Sequence, residues 1–181
     1  MKLSDEQKAE RARARMLGKA RELSVGTYMT RFTAPDFQRM IRAEAAADPK
    51  PYAVCVVQGE MRDVKRSVSE CACVTCGKVR PWKVDKHSGK EGIDCGHFVP
   101  RQHTGAILDE KNVAPQCQYC NGPLGGNFAM FMLWMQSERA EHIDRLLAWK
   151  HTTCPFPMLW EQVDLRIGYR KRYARAVEVM G

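Results

Sequence analysis

Two short cysteine pairs constrain most strongly what this sequence can fold into. Cys73 and Cys76 form one C-x-x-C element, Cys117 and Cys120 form a second, and 40 residues separate the two elements. Two residues between cysteines let a tight turn aim both sulfurs at one ion, and two such turns supply the four sulfurs that tetrahedral zinc prefers. Gly77 follows the first pair, where such a turn often needs a left-handed backbone. The pattern therefore predicts a structural zinc ion.

The sequence leaves alternatives to this zinc site open. A C-x-x-C pair can be a redox motif, although that motif occurs in a thioredoxin-like βαβ context, which the sequence does not show. Cys71 could replace Cys73 as a ligand, because the run is C-x-C-x-x-C, and Cys95 could also compete. Cys55 and Cys154 are isolated, and isolated cysteines are most often buried as small apolar side chains.

The composition bears on where the chain works and what it binds. Residues 1–15 are charged and lack the apolar stretch that export needs, and no run of about 18 apolar residues could span a membrane. We therefore expect a cytoplasmic protein without a membrane partner, whose cysteines are metal ligands or free thiols rather than disulfides. The net charge of +8 favours an anionic partner, of which nucleic acid is the commonest.

The chain divides into three regions by composition, and together they predict an α+β fold. Residues 1–65 form a basic, mainly helical N-terminal extension; residues 66–138, rich in Cys, His, Gly and Asn, form a zinc-binding core; residues 139–181 form a C-terminal helical region. Propensity, periodicity and breaker residues give the expected elements. Helices are expected at 3–23, 35–47 (with Thr33 as a possible cap), 127–137, 140–150 and 159–179, strands at 52–57 and 93–99, and a loop or hairpin at 78–92.

A second set of residues lies between the cysteine pairs and just after them. In chain order these are His97 after a glycine, Asn112 before an apolar run, Asn121 directly after Cys120, and Asn127 after two glycines. Each alone has an ordinary explanation, because a histidine in a strand is usually structural and an asparagine before a strand is usually a turn residue. Their order, with a zinc site fixing its ends, favours a catalytic constellation.

At these residues the sequence resembles a known family. The resemblance is to the NinG/Rap family of phage recombination proteins, within the wider HNH or ββα-metal nucleases, and rests on CVTCG, DCGHFVPR, LDEKNVAPQCQYCN and GGNF. It covers residues 71–135. It implies a small zinc-bound treble-clef core, flanked by N- and C-terminal helices, in which a β-hairpin carries His97 and a helix follows. It also implies an endonuclease that cuts branched DNA, including Holliday junctions, in a bacterial host cell.

The resemblance implies a role for each residue of the set. His97 would be the general base that takes a proton from water as the water attacks phosphorus, and a neutral imidazole near its unperturbed pKa of about 6.5 suits that task at cytoplasmic pH. Asn112 would brace the hairpin and so orient His97. Asn121 would help to bind one catalytic divalent ion, magnesium or manganese, and Asn127 is a second candidate for the same task.

Gly96 departs from the family pattern, because many HNH enzymes have a metal-binding Asp immediately before the histidine. The nearest acid is Asp94, three positions before His97, and residues at odd spacing on a strand face opposite sides. Asp109 or Glu110 could supply the carboxylate instead. A site with amides alone would bind magnesium weakly, because hard cations favour carboxylate oxygen.

Basic residues in the last helix mark the expected DNA-binding surface. Arg166, Arg170, Lys171 and Arg172 lie there with tyrosines interleaved. Such a stripe can contact phosphates and stack on bases, although charge runs are usually solvated helix faces. Arg101, in the loop after His97, is a further candidate for phosphate contact.

Two further expectations concern partners. Phosphate contacts position a protein without specifying sequence, so we expect selection by DNA structure rather than by base sequence. Symmetric cutting of a junction needs two active sites, which makes a homodimer an expected state. The main alternative function is a zinc-dependent nucleic-acid-binding module without catalysis, and its best support is the missing acid before His97.

Overall fold

The computed structural model of the protein describes residues 4–83, 91–152 and 154–181. Within these ranges the fold is α+β, as the sequence predicts, with helices predominating over short strands. The helices are α1 (Asp5–Ala20), α2 (Val25–Tyr28), α3 (Ala34–Ala47), α4 (Gln118–Asn121), α5 (Phe128–Glu138), α6 (Ile143–Ala148) and α7 (Leu159–Val179). The strands are β1 (Tyr52–Val57), β2 (Glu60–Lys65), β3 (Glu70–Ala72), β4 (Val79–Pro81), β5 (Ile93–His97) and β6 (Val113–Cys117). None of the helices in the described ranges combines the length and apolar character needed to span a bilayer.

The helix boundaries follow local sequence signals. Ser4 begins α1 with a capping box, in which its hydroxyl accepts from the Gln7 N–H while the Gln7 side chain accepts from the Ser4 N–H. Pro35 lies in the first turn of α3, as the sequence predicts. The expected cap at Thr33 is wrong, because a π-helical turn joins α2 to α3 and the Thr33 hydroxyl bonds the Gln162 side chain instead.

Other expected boundaries differ from the observed ones by small amounts. The helix expected at 140–150 is shorter, because α6 is flanked on both sides by 3-10 turns. The expected helix at 159–179 and the expected strand at 52–57 coincide with α7 and β1. The loop or hairpin expected at 78–92 contains β4, and its residues 84–90 lie outside the described ranges.

The strands form three antiparallel pairs, β1–β2, β3–β4 and β5–β6. The pair β5–β6 runs from Ile93 opposite Cys117 to His97 opposite Val113, so it joins the second cysteine pair to the candidate catalytic histidine. Residues opposite each other in such a pair share a face. His97 and Val113 therefore lie on one face of this hairpin, and Asp94 and Gln116 lie on the other.

The core places this hairpin between two groups of helices. One face packs on α3 and α7 through Phe37, Met40, Cys95, Val113 and Tyr169, all buried. Beyond the end of β5, Phe98 and Val99 enter a second core with Phe131 and Met135 of α5 and Leu146 of α6. Segments from all three sequence regions thus share buried contacts, while the boundaries at residues 65 and 138 remain predictions.

Candidate metal centre and catalytic cleft

The two C-x-x-C pairs meet in one cluster. The sulfur atoms of Cys73, Cys76, Cys117 and Cys120 all lie within 4.8 Å of one another. The Cys76 and Cys117 sulfurs are 3.7 Å apart, and tetrahedral zinc with Zn–S bonds of about 2.3 Å places its sulfurs roughly 3.8 Å apart. The four side chains therefore fit a structural zinc ion. Within the described ranges no other group of three or more His, Cys, Asp or Glu side chains is close enough to share a metal.

A tight turn sets the first cysteine pair. The backbone N–H groups of Cys76 and Gly77 both donate to the Cys73 carbonyl, at 3.3 and 2.8 Å. Gly77 has a φ of +74°, and a Cβ there would lie 2.6 Å from the Val57 side chain. Both the backbone conformation and the space around it therefore require glycine at this position.

Cys71 and Cys95, the two alternative zinc ligands, lie outside the four-cysteine cluster. Cys71 donates from its sulfur to the Arg42 carbonyl at 3.6 Å, and neither Cys71 nor Cys95 belongs to the four-sulfur group. Burial raises the pKa of the Cys71 and Cys95 thiols to about 12 in both cases, so both stay protonated at neutral pH. Cys73, rather than Cys71, completes the candidate zinc site.

Polar groups around the cluster favour thiolate at one of its members. Burial opposes ionisation of Cys73, yet hydrogen bonding from Thr75 and from backbone N–H groups lowers the pKa of this thiol overall. Asn127 donates from its amide to the Cys120 sulfur at 3.8 Å and to the Thr75 carbonyl at 3.3 Å. Asn127, expected as a candidate ligand of a catalytic ion, therefore lies against the cysteine cluster and supports the candidate zinc site.

His97 lies at the end of β5 on the wall of a cavity of about 400 Å³. Its Nε2 is 3.3 Å from the Ile107 carbonyl oxygen, which can only accept. A neutral ring that donates from Nε2 leaves Nδ1 as the basic nitrogen. Burial lowers the pKa of His97 to about 4 against the opposing effect of the Ile107 carbonyl, and the Arg101 charge lowers it further. The imidazole is therefore neutral at pH 7, and its pKa lies below the value of about 6.5 expected from the sequence, which makes it a weaker base than expected.

Asn112 fastens the loop that begins directly after His97. Its side chain is fully buried. The Asn112 Oδ1 accepts from the Val99 N–H at 2.7 Å, and its Nδ2 donates to the carbonyls of Val99 and Ala106 at 3.0 and 2.9 Å. The Phe98 N–H also bonds the Asn112 carbonyl. These bonds end β5 at His97, two residues earlier than expected, and give Asn112 the geometry of a brace.

The acids considered as metal ligands do not gather around His97. Asn121 donates from its amide to the Asp94 carboxylate at 3.2 Å, and Asp94 lies on the hairpin face opposite to His97. Asp109 accepts from Arg145, and Glu110 accepts from Arg172. No carboxylate is among the described residues that line the cavity. Asn121, expected to share one catalytic centre with His97, instead bonds a carboxylate on the other face of the hairpin.

Gln116 is a positioning residue that sequence reasoning missed. It is fully buried, and its Nε2 donates to the Gly126 carbonyl at 2.7 Å and to the Thr75 hydroxyl at 3.2 Å. A Cβ at Gly96 would lie only 2.0 Å from the Gln116 Oε1. The glycine before His97 therefore has a steric cause on the neighbouring strand. The available signal was an amide side chain within the otherwise apolar run VAPQC.

The basic stripe of α7 is largely engaged within the protein. Arg166 is only 5% exposed and donates to the Asp36 carboxylate at 2.8 Å and to the Tyr28 hydroxyl. The expectation that Arg166 contacts DNA is corrected accordingly, because a buried, paired guanidinium cannot reach a phosphate. Arg170 is exposed but also donates to Asp36, at 2.9 Å.

The remaining three basic candidates differ in exposure. Arg172 is half-buried and bonds the carboxylates of Glu44 and Glu110. Lys171 and Arg101 are exposed. The surface available for phosphate contact is therefore narrower than the sequence run suggests.

Comparison with known proteins gives no relative for this arrangement: no protein-family model, curated protein or solved structure matches the chain. The residues themselves define what the site can do. A four-sulfur cluster can hold zinc and fix one end of the β5–β6 hairpin. At the other end, a neutral histidine faces a cavity that Lys150 also lines. This cleft can accept a proton and attract an anion.

Proposed function

We propose that this chain is an endonuclease of the HNH class that hydrolyses phosphodiester bonds in DNA and carries a structural zinc ion. The observation that carries the proposal is His97, a neutral imidazole on the wall of a cavity that Lys150 also lines. The strand that bears it is held by the cysteine cluster at one end and by Asn112 at the other. The resemblance of residues 71–135 to NinG/Rap nucleases supports the same function.

His97 supplies general-base catalysis in this proposal. Its Nδ1 takes a proton from water while the water oxygen forms a bond to phosphorus and the bond from phosphorus to the leaving 3′-oxygen breaks. The leaving oxygen takes a proton from solvent, and the imidazolium returns its proton to solvent. Lys150 on the cavity wall attracts the phosphate. Asn112 acts through the loop that it fastens, by keeping the imidazole in place.

The described residues fit the two expected metals differently. Cys73, Cys76, Cys117 and Cys120 would hold the structural zinc, which stabilises the turns that bear them. A catalytic magnesium or manganese ion does not fit beside His97, because the nearby carboxylates are bonded to Asn121, Arg145 or Arg172. No step of the proposed chemistry is therefore assigned to a divalent ion.

The proposed substrate is branched DNA, including Holliday junctions, during phage recombination in a bacterial host. Its basis is the resemblance, together with the +8 net charge. Arg101 and Lys171 are the exposed candidates for phosphate contact, whereas Arg170 and Arg172 would first have to leave internal ion pairs. A homodimer is the assembly that would cut both strands of a junction symmetrically.

A second candidate function is a zinc-dependent nucleic-acid-binding module without catalysis. The observation that favours it is the absence of a carboxylate among the described residues lining the cavity. An enzyme of this class usually needs a hard oxygen ligand for its ion, and a binding module does not.

The deciding experiment compares cleavage and binding by the zinc-loaded protein. A labelled four-way junction, a matched duplex and a single strand are incubated with magnesium, manganese or no added divalent ion. His97→Gln should lower cleavage by roughly a hundredfold or more, because general bases contribute about that much, and should leave binding unchanged. His151→Gln is the matched control on an exposed histidine and should cut normally.

The other outcomes separate the two candidate functions. Normal cleavage by His97→Gln would show that His97 is not the base. Binding without cleavage under every ion condition would favour the non-catalytic module. Equal cutting of all three substrates would support the nuclease function and contradict a preference for branched DNA.

A further inference from the structure

The cavity beside His97 contains an aromatic platform that proton transfer does not use. Phe128, at the start of α5, is 44% exposed on the cavity wall. Its ring stacks on the buried Phe98 ring, with centroids 5.3 Å apart and planes 14° from parallel. Phe98 packs in turn against Phe131, at a centroid distance of 5.7 Å. The exposed ring is therefore held in a fixed orientation by a buried aromatic cluster.

The charges around this platform favour an anion. The Lys150 ammonium lies over the Phe128 ring, 5.0 Å from the ring centre. His103 lines the same cavity, and no Asp or Glu is among its described lining residues. A flat apolar surface next to a cation is the combination that holds a nucleotide, because the base stacks on the ring while the phosphate meets the charge.

Another part of the cavity wall leaves room for such a ligand. Gly125 and Gly126 line the cavity with φ values of +58° and +88°, and the position of a Cβ at either has no atom within 4 Å. The volume of about 400 Å³ lies in the range of small-ligand pockets. The glycines keep this wall free of side chains, so that a sugar-phosphate can approach His97.

We propose that this cavity binds one unpaired nucleotide of a DNA strand: the flexible Lys150 side chain moves off the Phe128 ring to meet the phosphate, and the base stacks on the ring in its place. The inference rests on the proposed DNA function and deepens it. A base in a duplex is already stacked and paired, so only a flap, a branch point or a single strand can present its face to Phe128. Phe128 is thus a specificity-determining residue that selects unpaired DNA through stacking.

Binding of short labelled DNA by the zinc-loaded full chain tests the proposal, with no magnesium or manganese added. Phe128→Leu keeps an apolar side chain but removes the ring, and should weaken single-strand binding about tenfold while leaving duplex binding unchanged. Phe128→Trp should bind single strands at least as tightly as the unchanged protein. Trp160→Leu is the matched control, because Trp160 is 53% exposed on α7 and does not line the cavity.

Salt dependence tests the phosphate contact separately. Lys150→Gln should reduce the slope of log affinity against log salt for single strands by about 0.7, the value for one lost phosphate contact. Lys65→Gln, at an exposed lysine on β2 outside the cavity, should leave the slope unchanged.

Different results would contradict the nucleotide-binding cavity and the nuclease function. Unchanged single-strand binding by Phe128→Leu, equal loss on single strands and duplex, or no single-strand binding by the unchanged protein would each overturn the nucleotide cleft. Selective loss in Phe128→Leu without any DNA cleavage by the unchanged protein would support the cleft and reject the nuclease.

Discussion

At the scale of single residues, the chemistry beside His97 is set by a contact across two strands. Gly96 occupies the position where many HNH nucleases, which the sequence resembles, have a metal-binding acid, and the Gln116 side chain fills the space that an acid would need. Gln116 is held there by Gly126 and Thr75, next to the cysteine cluster. The close contact between Gly96 and Gln116 therefore belongs to the packing that joins the hairpin to the candidate zinc site, and this packing excludes an acid at position 96.

Replacing Gly96 with Asp should destabilise the protein rather than create a metal ligand. The overpacking against Gln116 should cost about 2 kcal/mol, within the usual range for inserting atoms into a packed site. Urea unfolding of Gly96→Asp, Gln116→Ala and the double variant measures this cost. If the contact causes the loss, the double variant should be at least 1 kcal/mol more stable than the sum of the single effects predicts. Strict additivity would show that Gln116 is not what excludes the acid.

At the scale of elements, the β5–β6 hairpin is fixed at both ends, by Cys117 at one and by Asn112 at the other. The cysteine spacing and the resemblance predicted both anchors. The end of β5 at His97 was not predicted, because it depends on the Asn112 amide replacing ladder bonds with Val99. Sequence periodicity does not indicate where a side chain will replace the backbone hydrogen bonds between two strands.

Asn112→Ala should loosen the loop at 98–111 while leaving the cysteine cluster intact. The change removes three side-chain hydrogen bonds and leaves buried backbone groups of Val99 and Ala106 without these partners. The free energy of unfolding should fall by an amount on the order of 3 kcal/mol. Hydrogen exchange should show faster exchange across this loop than in α7. Asn112→Asp, which keeps an acceptor for the Val99 N–H and loses both donated bonds, should also be destabilised. Unchanged exchange in both variants would contradict the bracing role.

At the scale of the whole molecule, helices from both ends of the chain cover the hairpin. The α3 and α7 helices meet through Phe37 and Tyr169, whose ring centroids are 5.3 Å apart. Arg166 joins them further by its bond to Asp36. The periodicity of α7 predicted its length correctly but could not assign Arg166 to the core, because its acidic partner lies 130 residues away in sequence.

Replacing one cysteine of the cluster should show which part of the fold depends on zinc and that these helices do not. Cys117→Ser should lose bound zinc, because three thiolates hold the ion less tightly than four. Intact-mass spectrometry under native conditions measures the zinc content, and circular dichroism measures the helices, which we expect to persist. Cys71→Ala, a buried cysteine outside the cluster, should retain zinc. A zinc-loaded Cys117→Ser protein would remove Cys117 from the ligand set.

The buried Arg166 has a consequence for any scan of the C-terminal helix. Substituting each arginine and lysine of α7 by alanine and scoring affinity for DNA, the proposed ligand, would rank Arg166 among the strongest hits. The score would report damaged folding, because removing one partner of a buried ion pair typically costs about 3–5 kcal/mol. Arg170 would still compensate part of the Asp36 charge. The substitution of Lys171, which is exposed, would have the smaller effect on affinity, and that effect would report on the proposed DNA-binding surface.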